Sequence, residues 1–304
     1  MSTSQIVLFS QPRTGCHLLE RILMSRQTGA KLLSHPMTAA AGTINQWQQS
    51  KTFMDGIPRD VRVLHETQMN AGSAVWEQEL QDAEKTGKVL FVHDHLFYTT
   101  SLDYVHASVV SPGSSTKEGS NLSLIPEKLL LNPGTVPLFT IRHPVLCVPS
   151  TIKSIRDTKT GGASIPAYSI GTNLSFARDL YDWYMSKGIE PVVVDADDYM
   201  TSEHFCRGLA KRLGLDPEQV AVTWEPTPEE QQDQMHPILR AIQKTLIDSK
   251  GLVPGRAAKN INLKEEEARW DNDFSQEEVD LCHQLIQRMN PDYEYLKEHK
   301  FVVE

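Results

Sequence analysis

Short runs of apolar residues alternate along the chain with longer segments in which apolar positions recur at helical spacing. Four of these runs are rich in β-branched and aromatic residues and predict buried strands, at residues 5–9, 88–92, 137–141 and 191–194. Strands that alternate with helices indicate a parallel sheet. The predicted fold class is therefore α/β, with three layers in which a parallel sheet is flanked by helices.

Polar residues directly follow each predicted strand. They occupy positions 10–16, 93–95, 142–144 and 195–198. In parallel α/β sheets, ligands bind beyond the carboxyl ends of the strands. We therefore expect the functional site to be assembled from these four segments.

Capping signals predict three helices in the second half of the chain. Thr201 is a suitable N-cap for a helix that reaches Leu213. Residues 227–230 combine an N-cap, a proline and a capping box, and predict a helix towards Lys250. Ser275 opens a further capping box, from which a helix should run towards Met289.

The overall composition adds limits on function. The chain has 304 residues and a net charge of −9, which excludes a broad nucleic-acid surface but is compatible with a small basic pocket. Without an internal repeat or a sharp compositional boundary, we predict that residues 1–304 form a single domain. Oligomeric state is left open, with a homodimer as one option.

The cysteines and the apolar runs bear on the cellular environment. Four widely spaced cysteines without a C-x-x-C pair favour free thiols and give no support to a disulfide framework or a metal site. No basic, apolar leader and no 18-residue apolar run is present, so we predict no membrane span and a cytoplasmic location.

The loop after the first predicted strand has the features of a phosphate or sulfate site. A helix N-terminus attracts anions, and Gly15 lets the backbone approach one closely. Arg13 supplies a cationic fork of donors and Thr14 a hydroxyl. This is not a Walker A sequence, because the first glycine and the lysine are missing. An ordinary strand–helix turn is the alternative interpretation.

A second anion motif follows the third predicted strand. Arg142 comes directly after this strand, and Ser150 lies eight residues later, where we expect the next helix to begin. A guanidinium and a hydroxyl beside a helix N-terminus can converge on one phosphate. The alternative is a surface arginine followed by a capping serine.

These two motifs together resemble the sulfotransferase family. The Pro-Arg-Thr-Gly sequence at 12–15 is similar to its 5′-phosphosulfate loop, in the form typical of fungal and bacterial members, and Arg142 with Ser150 resembles its 3′-phosphate motif. Segments 195–214 and 270–275 also look like late parts of the family's domain. The resemblance implies a P-loop NTPase-like fold and the donor 3′-phosphoadenosine-5′-phosphosulfate (PAPS), which leaves as the desulfonated product PAP.

The resemblance also implies roles for individual residues. Arg13 would stabilise the leaving group, and a basic residue before position 270 would help to hold the 3′-phosphate, with Arg256 preferred over Lys259 and Lys264. The implied cofactor-binding residues are Arg13, Thr14, Gly15, Cys16, His17, Arg142, Ser150 and Arg256. Cys16 and His17 depart from the Ser or Thr that the family carries after the glycine.

Sulfonyl transfer to a hydroxyl needs a base, and histidine suits this role because its pKa lies near neutrality. His93 and His95 end the second predicted strand, where the family carries Lys-Thr-His or Lys-Glu-His, so the resemblance implies that His95 is the base and that His93 replaces the lysine. His35 and Glu66 are rival bases. The alternative is a pair of strand-end histidines without chemistry.

The predicted function is therefore that of a sulfotransferase acting on a hydroxyl of a small-molecule acceptor, with His95, Arg13 and His93 as catalytic residues. Two other functions stay open. The protein could bind PAPS or PAP without net sulfonation of the final product, by elimination, cyclisation or a pure binding role. It could also be another P-loop-type nucleotide enzyme.

Overall fold

A five-stranded, fully parallel sheet forms the centre of the computed structural model, which describes residues 2–112 and 120–303. The strands lie in the order β2-β3-β1-β4-β5. Their bounds are β1 Gln5–Ser10, β2 Ala30–Ser34, β3 Val89–His95, β4 Thr135–Ile141 and β5 Val192–Asp195. Because β1 is central, its carboxyl end lies between those of β3 and β4.

Helices connect the strands and cover the sheet. In chain order they are α1 Cys16–Met24, α2 Thr38–Trp47, α3 Arg59–Lys85, α4 Leu96–Thr99, α5 Leu102–Val110, α6 Glu127–Leu130, α7 Pro144–Thr158, α8 Ile165–Gly171, α9 Ser175–Ser186, α10 Ala196–Tyr199, α11 Glu203–Arg212, α12 Glu229–Gln234, α13 Pro237–Ile242, α14 Lys244–Asp248, α15 Leu263–Ala268, α16 Trp270–Asp273 and α17 Gln276–Glu298.

The alternation of side chains along β1 divides the core into two parts. Ile6 and Leu8 pack into one cluster, with apolar residues of α1 and α11. Val7 and Phe9 point to the opposite face and pack with residues of α3, α7, α9 and α17. All six residues of β1 are buried, which is the pattern of a central parallel strand covered on both faces. The predicted three-layer α/β fold is thus confirmed.

All four predicted strands are present, and a fifth was missed. β2 (Ala30–Ser34) lies at the edge of the sheet and pairs only with β3. Its burial alternates between buried or half-buried and exposed positions, so it lacks the continuous apolar run that reveals the central strands. β2 needs less apolar sequence because alternate side chains are exposed to solvent, whereas β5 at the opposite edge is buried throughout.

The helix predictions were correct in kind but not always in length. The capping box at Ser275 is present, and α17 runs beyond Met289 to Glu298. The helix expected from residue 229 towards Lys250 is instead divided into α12, α13 and α14. Pro237 explains the first break, because the residue before a proline disfavours helical geometry. The N-cap of α11 is Ser202 rather than Thr201.

Two predictions concern the whole chain, namely that it has no membrane span and that it forms a single domain. Among residues 2–112 and 120–303, no helix is both long and apolar enough to cross a membrane. That the chain forms a single domain stays a prediction.

Candidate functional site

The loop between β1 and α1 requires glycine at position 15. Gly15 is the N-cap of α1 and has φ of 83°, a backbone conformation that favours glycine. A Cβ atom there would overlap the Met200 side chain and lie 3.3 Å from the Tyr199 hydroxyl oxygen. Arg13 also has a positive φ, of 67°. The loop therefore makes a tight turn that brings backbone close to the start of α1.

Hydrogen bonds hold this loop from its interior side. The Thr14 hydroxyl lies 2.7 Å from the Gln11 carbonyl oxygen and 2.8 Å from the Thr140 hydroxyl on β4. The Tyr199 hydroxyl donates to the Thr14 carbonyl oxygen. The Thr14 side chain is fully buried, so its hydroxyl stabilises the loop, and its predicted contact with the cofactor stays a prediction.

The two anion motifs, far apart in the chain, meet in space. Arg13 donates from Nε to the Ser150 hydroxyl oxygen at 3.0 Å. Arg142 donates from Nη1 to the Arg13 carbonyl oxygen at 2.9 Å and from Nη2 to the Arg256 carbonyl oxygen at 3.0 Å. We call Arg13, Arg142 and Arg256 the three-arginine cluster.

The three-arginine cluster carries positive charge without carboxylate partners. Across residues 2–112 and 120–303, none of the three forms a salt bridge. Burial, and then the neighbouring guanidinium of Arg142, lowers the pKa of Arg13. The Arg142 Nε is buried and has no hydrogen-bond partner among these residues. A buried, unpaired donor beside like charges is the arrangement that an anion would satisfy.

One detail of the second motif was predicted wrongly. α7 begins at Pro144, and its N-cap is His143, whose Nδ1 accepts from the Val145 N–H at 3.3 Å. Ser150 therefore lies within the second turn of α7 and not at its start. The helix begins early because a proline at its first position already has helical φ and needs no hydrogen-bond partner.

The C-terminal segment approaches the arginines through Arg256. Its carbonyl oxygen accepts from Arg142, and Asp197 fixes the following residues by accepting from the N–H groups of Ala258 at 2.5 Å and Lys259 at 2.9 Å. Lys264 lies exposed on α15. These contacts favour Arg256 among the three basic candidates.

Four histidines form a second cluster next to the loop. His17 begins α1, His35 follows β2, and His93 and His95 end β3. Their ring centroids lie between 4.4 and 6.1 Å apart. We call them the imidazole cluster. Tyr98 packs edge-on against it, 5.1 Å from His95.

Two of these imidazoles belong to a continuous chain of hydrogen bonds. Glu20 Oε2 lies 2.6 Å from His93 Nδ1, and His93 Nε2 lies 3.0 Å from Ser10 Oγ. Ser10 Oγ in turn lies 2.7 Å from His95 Nδ1. The strand register explains the last contact, because Ser10 is paired with His95 across β1 and β3.

Burial keeps three of the four imidazoles, those of His17, His93 and His95, uncharged at neutral pH. Burial and the neighbouring histidines His93 and His35 lower the pKa of His17 to about 3. Burial is also the largest cause that lowers the pKa of His93 and of His95 well below the usual range. Burial raises the pKa of the Cys16 thiol to about 11. The site therefore offers three neutral imidazoles and a protonated thiol.

Some of these side chains could approach a metal ion. Ligand atoms of Cys16, His17 and His95 lie within 4.8 Å of one another, as do those of His17, His35 and His93. Both ring nitrogens of His93 are engaged in hydrogen bonds, with Glu20 and Ser10, and thiolate rather than thiol is the form of cysteine that binds metals. The geometry therefore favours hydrogen-bond chemistry over metal binding here.

The rival bases take different positions. His35 joins the imidazole cluster, and its Nδ1 lies 3.4 Å from Asp94 Oδ1. Glu66 lies on an exposed part of α3, and no contact of the described residues joins it to the cluster. The structure thus brings His17, His35, His93 and His95 together but leaves Glu66 outside.

Sequence reasoning missed Glu20 and Ser10. Glu20 lies three residues after His17, and residues at this spacing share a helix face. Ser10 is the last residue of β1. Both signals were visible, but their meaning depended on knowing that β3 lies next to β1.

Comparison with known proteins bears on the family. Over 244 residues the chain is 27% identical to the sulfotransferase ppzF of Metarhizium majus (strain ARSEF 297), which covers 72% of this chain and 71% of that protein. Over 247 residues it is 26% identical to the sulfotransferase ppzF of Metarhizium rileyi (strain RCEF 4871), which covers 73% and 72%. The chain thus resembles curated sulfotransferases over nearly three quarters of its length. The resemblance predicted from its motifs is thereby confirmed.

No family model matches the chain. The sulfotransferase domain from the curacin biosynthetic pathway superimposes with a TM-score of 0.43 and 13% identity, over 90% of this chain and 97% of that domain. The similarity to the two curated sulfotransferases supports a sulfotransferase function.

Proposed function

We propose that this sulfotransferase uses PAPS as its donor and a hydroxyl group of a small molecule as its acceptor. In this proposal the loop at Arg13–Gly15, the first residues of α1 and the three-arginine cluster hold the donor, and His95 is the base. The observation that carries the proposal is that Arg13, Arg142 and Arg256 come together without a carboxylate partner among the described residues, beside a cluster of histidines.

The residues of the site fit a donor with two separate anionic groups. Arg13 and the N-terminus of α1 offer donors to one of them. Arg142, with its unpartnered Nε, and Ser150 offer donors to the other. When bound, PAPS supplies the sulfonyl group, and PAP is the product that leaves.

His95, Arg13 and His17 then have separate roles in the reaction. His95 accepts the proton of the acceptor hydroxyl, which makes that oxygen a better nucleophile. Arg13 neutralises the negative charge that grows on the leaving oxygen, since an arginine side chain is cationic at neutral pH. His17 links the two regions, because its pKa is influenced by Arg13 and by His93.

Calorimetric titration with PAP tests the donor site. We expect Arg142→Ala to weaken PAP binding by roughly tenfold to a hundredfold, since it removes charge-assisted hydrogen bonds. Arg62→Ala is the matched control, because Arg62 is an exposed arginine paired with Asp103 on another surface. Failure of the wild-type protein to bind PAP at tens of micromolar would overturn the proposed donor.

The same measurements separate the alternative functions. In a protein that only binds PAPS or PAP, His95→Ala would leave binding intact and no sulfonated product would form with any acceptor. In a sulfotransferase, His95→Ala should leave PAP binding intact and lower kcat by about 10²- to 10⁴-fold. Turnover that requires magnesium and ATP would instead favour another P-loop-type nucleotide enzyme.

A further inference from the structure

We propose that Glu20, His93 and Ser10 are positioning residues that hold His95 in the tautomer whose proton is on Nδ1. The lone pair of the base is then on Nε2. This inference rests on the proposed role of His95 but concerns three residues that the reaction itself does not touch. It follows from the directions of three consecutive hydrogen bonds.

The first direction is set at Glu20. Its Oε2 accepts a hydrogen bond from the Ser34 hydroxyl at 3.3 Å, in addition to its contact with His93 Nδ1 at 2.6 Å. An ionised carboxylate has no proton to donate, so Glu20 can only accept from His93. His93 must therefore carry its proton on Nδ1.

The second direction follows from the charge of His93. Burial lowers the pKa of His93 well below its usual range, so the ring is neutral and carries a single proton. With that proton on Nδ1, Nε2 presents a lone pair to Ser10 Oγ at 3.0 Å. The Asp94 carbonyl oxygen, at 3.3 Å, is a second acceptor within reach of the Ser10 hydroxyl. Two lone pairs that face each other at 3.0 Å would repel, so Ser10 donates its proton to the nearer acceptor, His93 Nε2.

The third direction follows because a hydroxyl has only one proton. Once the Ser10 proton points to His93, Ser10 Oγ can only accept from His95 Nδ1, which lies 2.7 Å away. His95 is also a neutral ring, so its Nε2 carries no proton. The hydrogen bonds from Glu20 to His95 thus leave the Nε2 lone pair of His95, at the end of β3, without a partner among the described residues.

This arrangement also explains how His95 can accept a proton although it is buried. When Nε2 binds the proton of the acceptor hydroxyl, His95 becomes a cation. Its Nδ1–H bond to Ser10 then strengthens, and the polarised chain leads to the Glu20 carboxylate. One proton moves from the acceptor oxygen to Nε2, and no proton needs to move along the chain. In hydrolases with a serine, histidine and aspartate triad, a carboxylate that accepts a hydrogen bond from the histidine has the same orienting role.

The tautomer can be observed directly, without substrate. Protein labelled with 15N in histidine is studied at pH 7.5 by long-range proton–nitrogen correlation NMR, in which protonated and unprotonated ring nitrogens differ strongly in chemical shift. A spectrum of His95→Gln identifies the signals of His95. We expect the wild type to show an Nδ1–H tautomer for both His93 and His95.

Variants of Ser10 and Glu20 test whether these residues set the tautomer of His95. Ser10→Ala and Glu20→Leu should shift His95 towards the Nε2–H tautomer and lower kcat by roughly tenfold to a hundredfold, with PAP affinity unchanged. Glu20→Gln should retain much of the wild-type tautomer, because its amide oxygen can still accept from His93. Ser50→Ala is the matched control, since the exposed Ser50 hydroxyl contacts Thr52, away from this hydrogen-bond chain.

Several outcomes would overturn the proposal. These are an Nε2–H tautomer of His95 in the wild type, or Ser10→Ala and Glu20→Leu proteins that fold and keep both tautomer and kcat. Stoichiometric binding of Zn²⁺ alone that removes the His93 hydrogen-bond signals would assign the cluster to metal binding instead. If PAP failed to bind while His93 and His95 showed the expected tautomers, the proposed function would be refuted. The positioning role of Glu20, His93 and Ser10 would still hold.

Discussion

Acid should destabilise this fold through its buried histidines, and His65 gives the simplest test. His65 lies on α3, is completely buried, and neither of its ring nitrogens has a hydrogen-bond partner among residues 2–112 and 120–303. Burial lowers its pKa from 6.5 to about 4. In the unfolded chain the imidazole is hydrated and accepts a proton more readily.

The size of the effect follows from this difference in pKa. Because the folded-state pKa is the lower one, the unfolded chain binds more protons between pH 6.5 and pH 4. The stabilising contribution is complete above pH 6.5 and is lost as the pH falls towards 4. Each pH unit within this window removes about 1.4 kcal/mol, so His65 alone should remove about 2 kcal/mol of the free energy of unfolding by pH 5.

The measurement compares urea unfolding of the wild type and His65→Leu at pH 7.5, 6.5, 5.5 and 5.0. The variant should lose about 2 kcal/mol less than the wild type over this range. Other groups, such as Asp195, whose pKa burial raises to about 6, titrate in both proteins and cancel in the difference. His204→Leu, which alters an exposed histidine on α11, is the control. Equal pH dependence in wild type and His65→Leu would refute this reasoning.

Three further substitutions test other contacts. Gly15→Ala should destabilise the protein by about 1–2 kcal/mol and weaken PAP binding, because a side chain at φ of 83° is strained and meets Met200; unchanged unfolding and calorimetric curves would contradict this. Ser275→Ala removes the capping box of α17 and should cost about 1 kcal/mol in urea unfolding, while PAP affinity stays the same. Thr140→Val removes the hydroxyl that contacts Thr14, and a stability loss of about 0.5–1.5 kcal/mol is expected in the same assay.

Four strands could be predicted because their signal is local. The residues of β1, β3, β4 and β5 are nearly all buried, and such strands need continuous apolar sequence. β2 could not be predicted in this way, since its exposed positions interrupt the apolar run. The division of residues 229–248 into three helices was also missed, although Pro237 gave a local sign of the first break.

The candidate site divides in a similar manner. The loop at Arg13–Gly15 and the pair of Arg142 and Ser150 are motifs with fixed spacing, so they were visible in the sequence. Glu20 and Ser10 have no such spacing relative to His93 and His95. Their contacts exist only because β1 and β3 are neighbours in the sheet.

The sequence by itself therefore determined the α/β class, four of the strands, the motif of the candidate anion loop and the resemblance to sulfotransferases, because each of these depends on residues that are close together in the chain. Only the tertiary structure decided that three arginines share one region without a salt bridge among the described residues, that four histidines meet beside them, and that Glu20 is joined to His95 through two other side chains. These properties depend on the order and register of the strands, which bring residues more than 70 positions apart into hydrogen-bond contact.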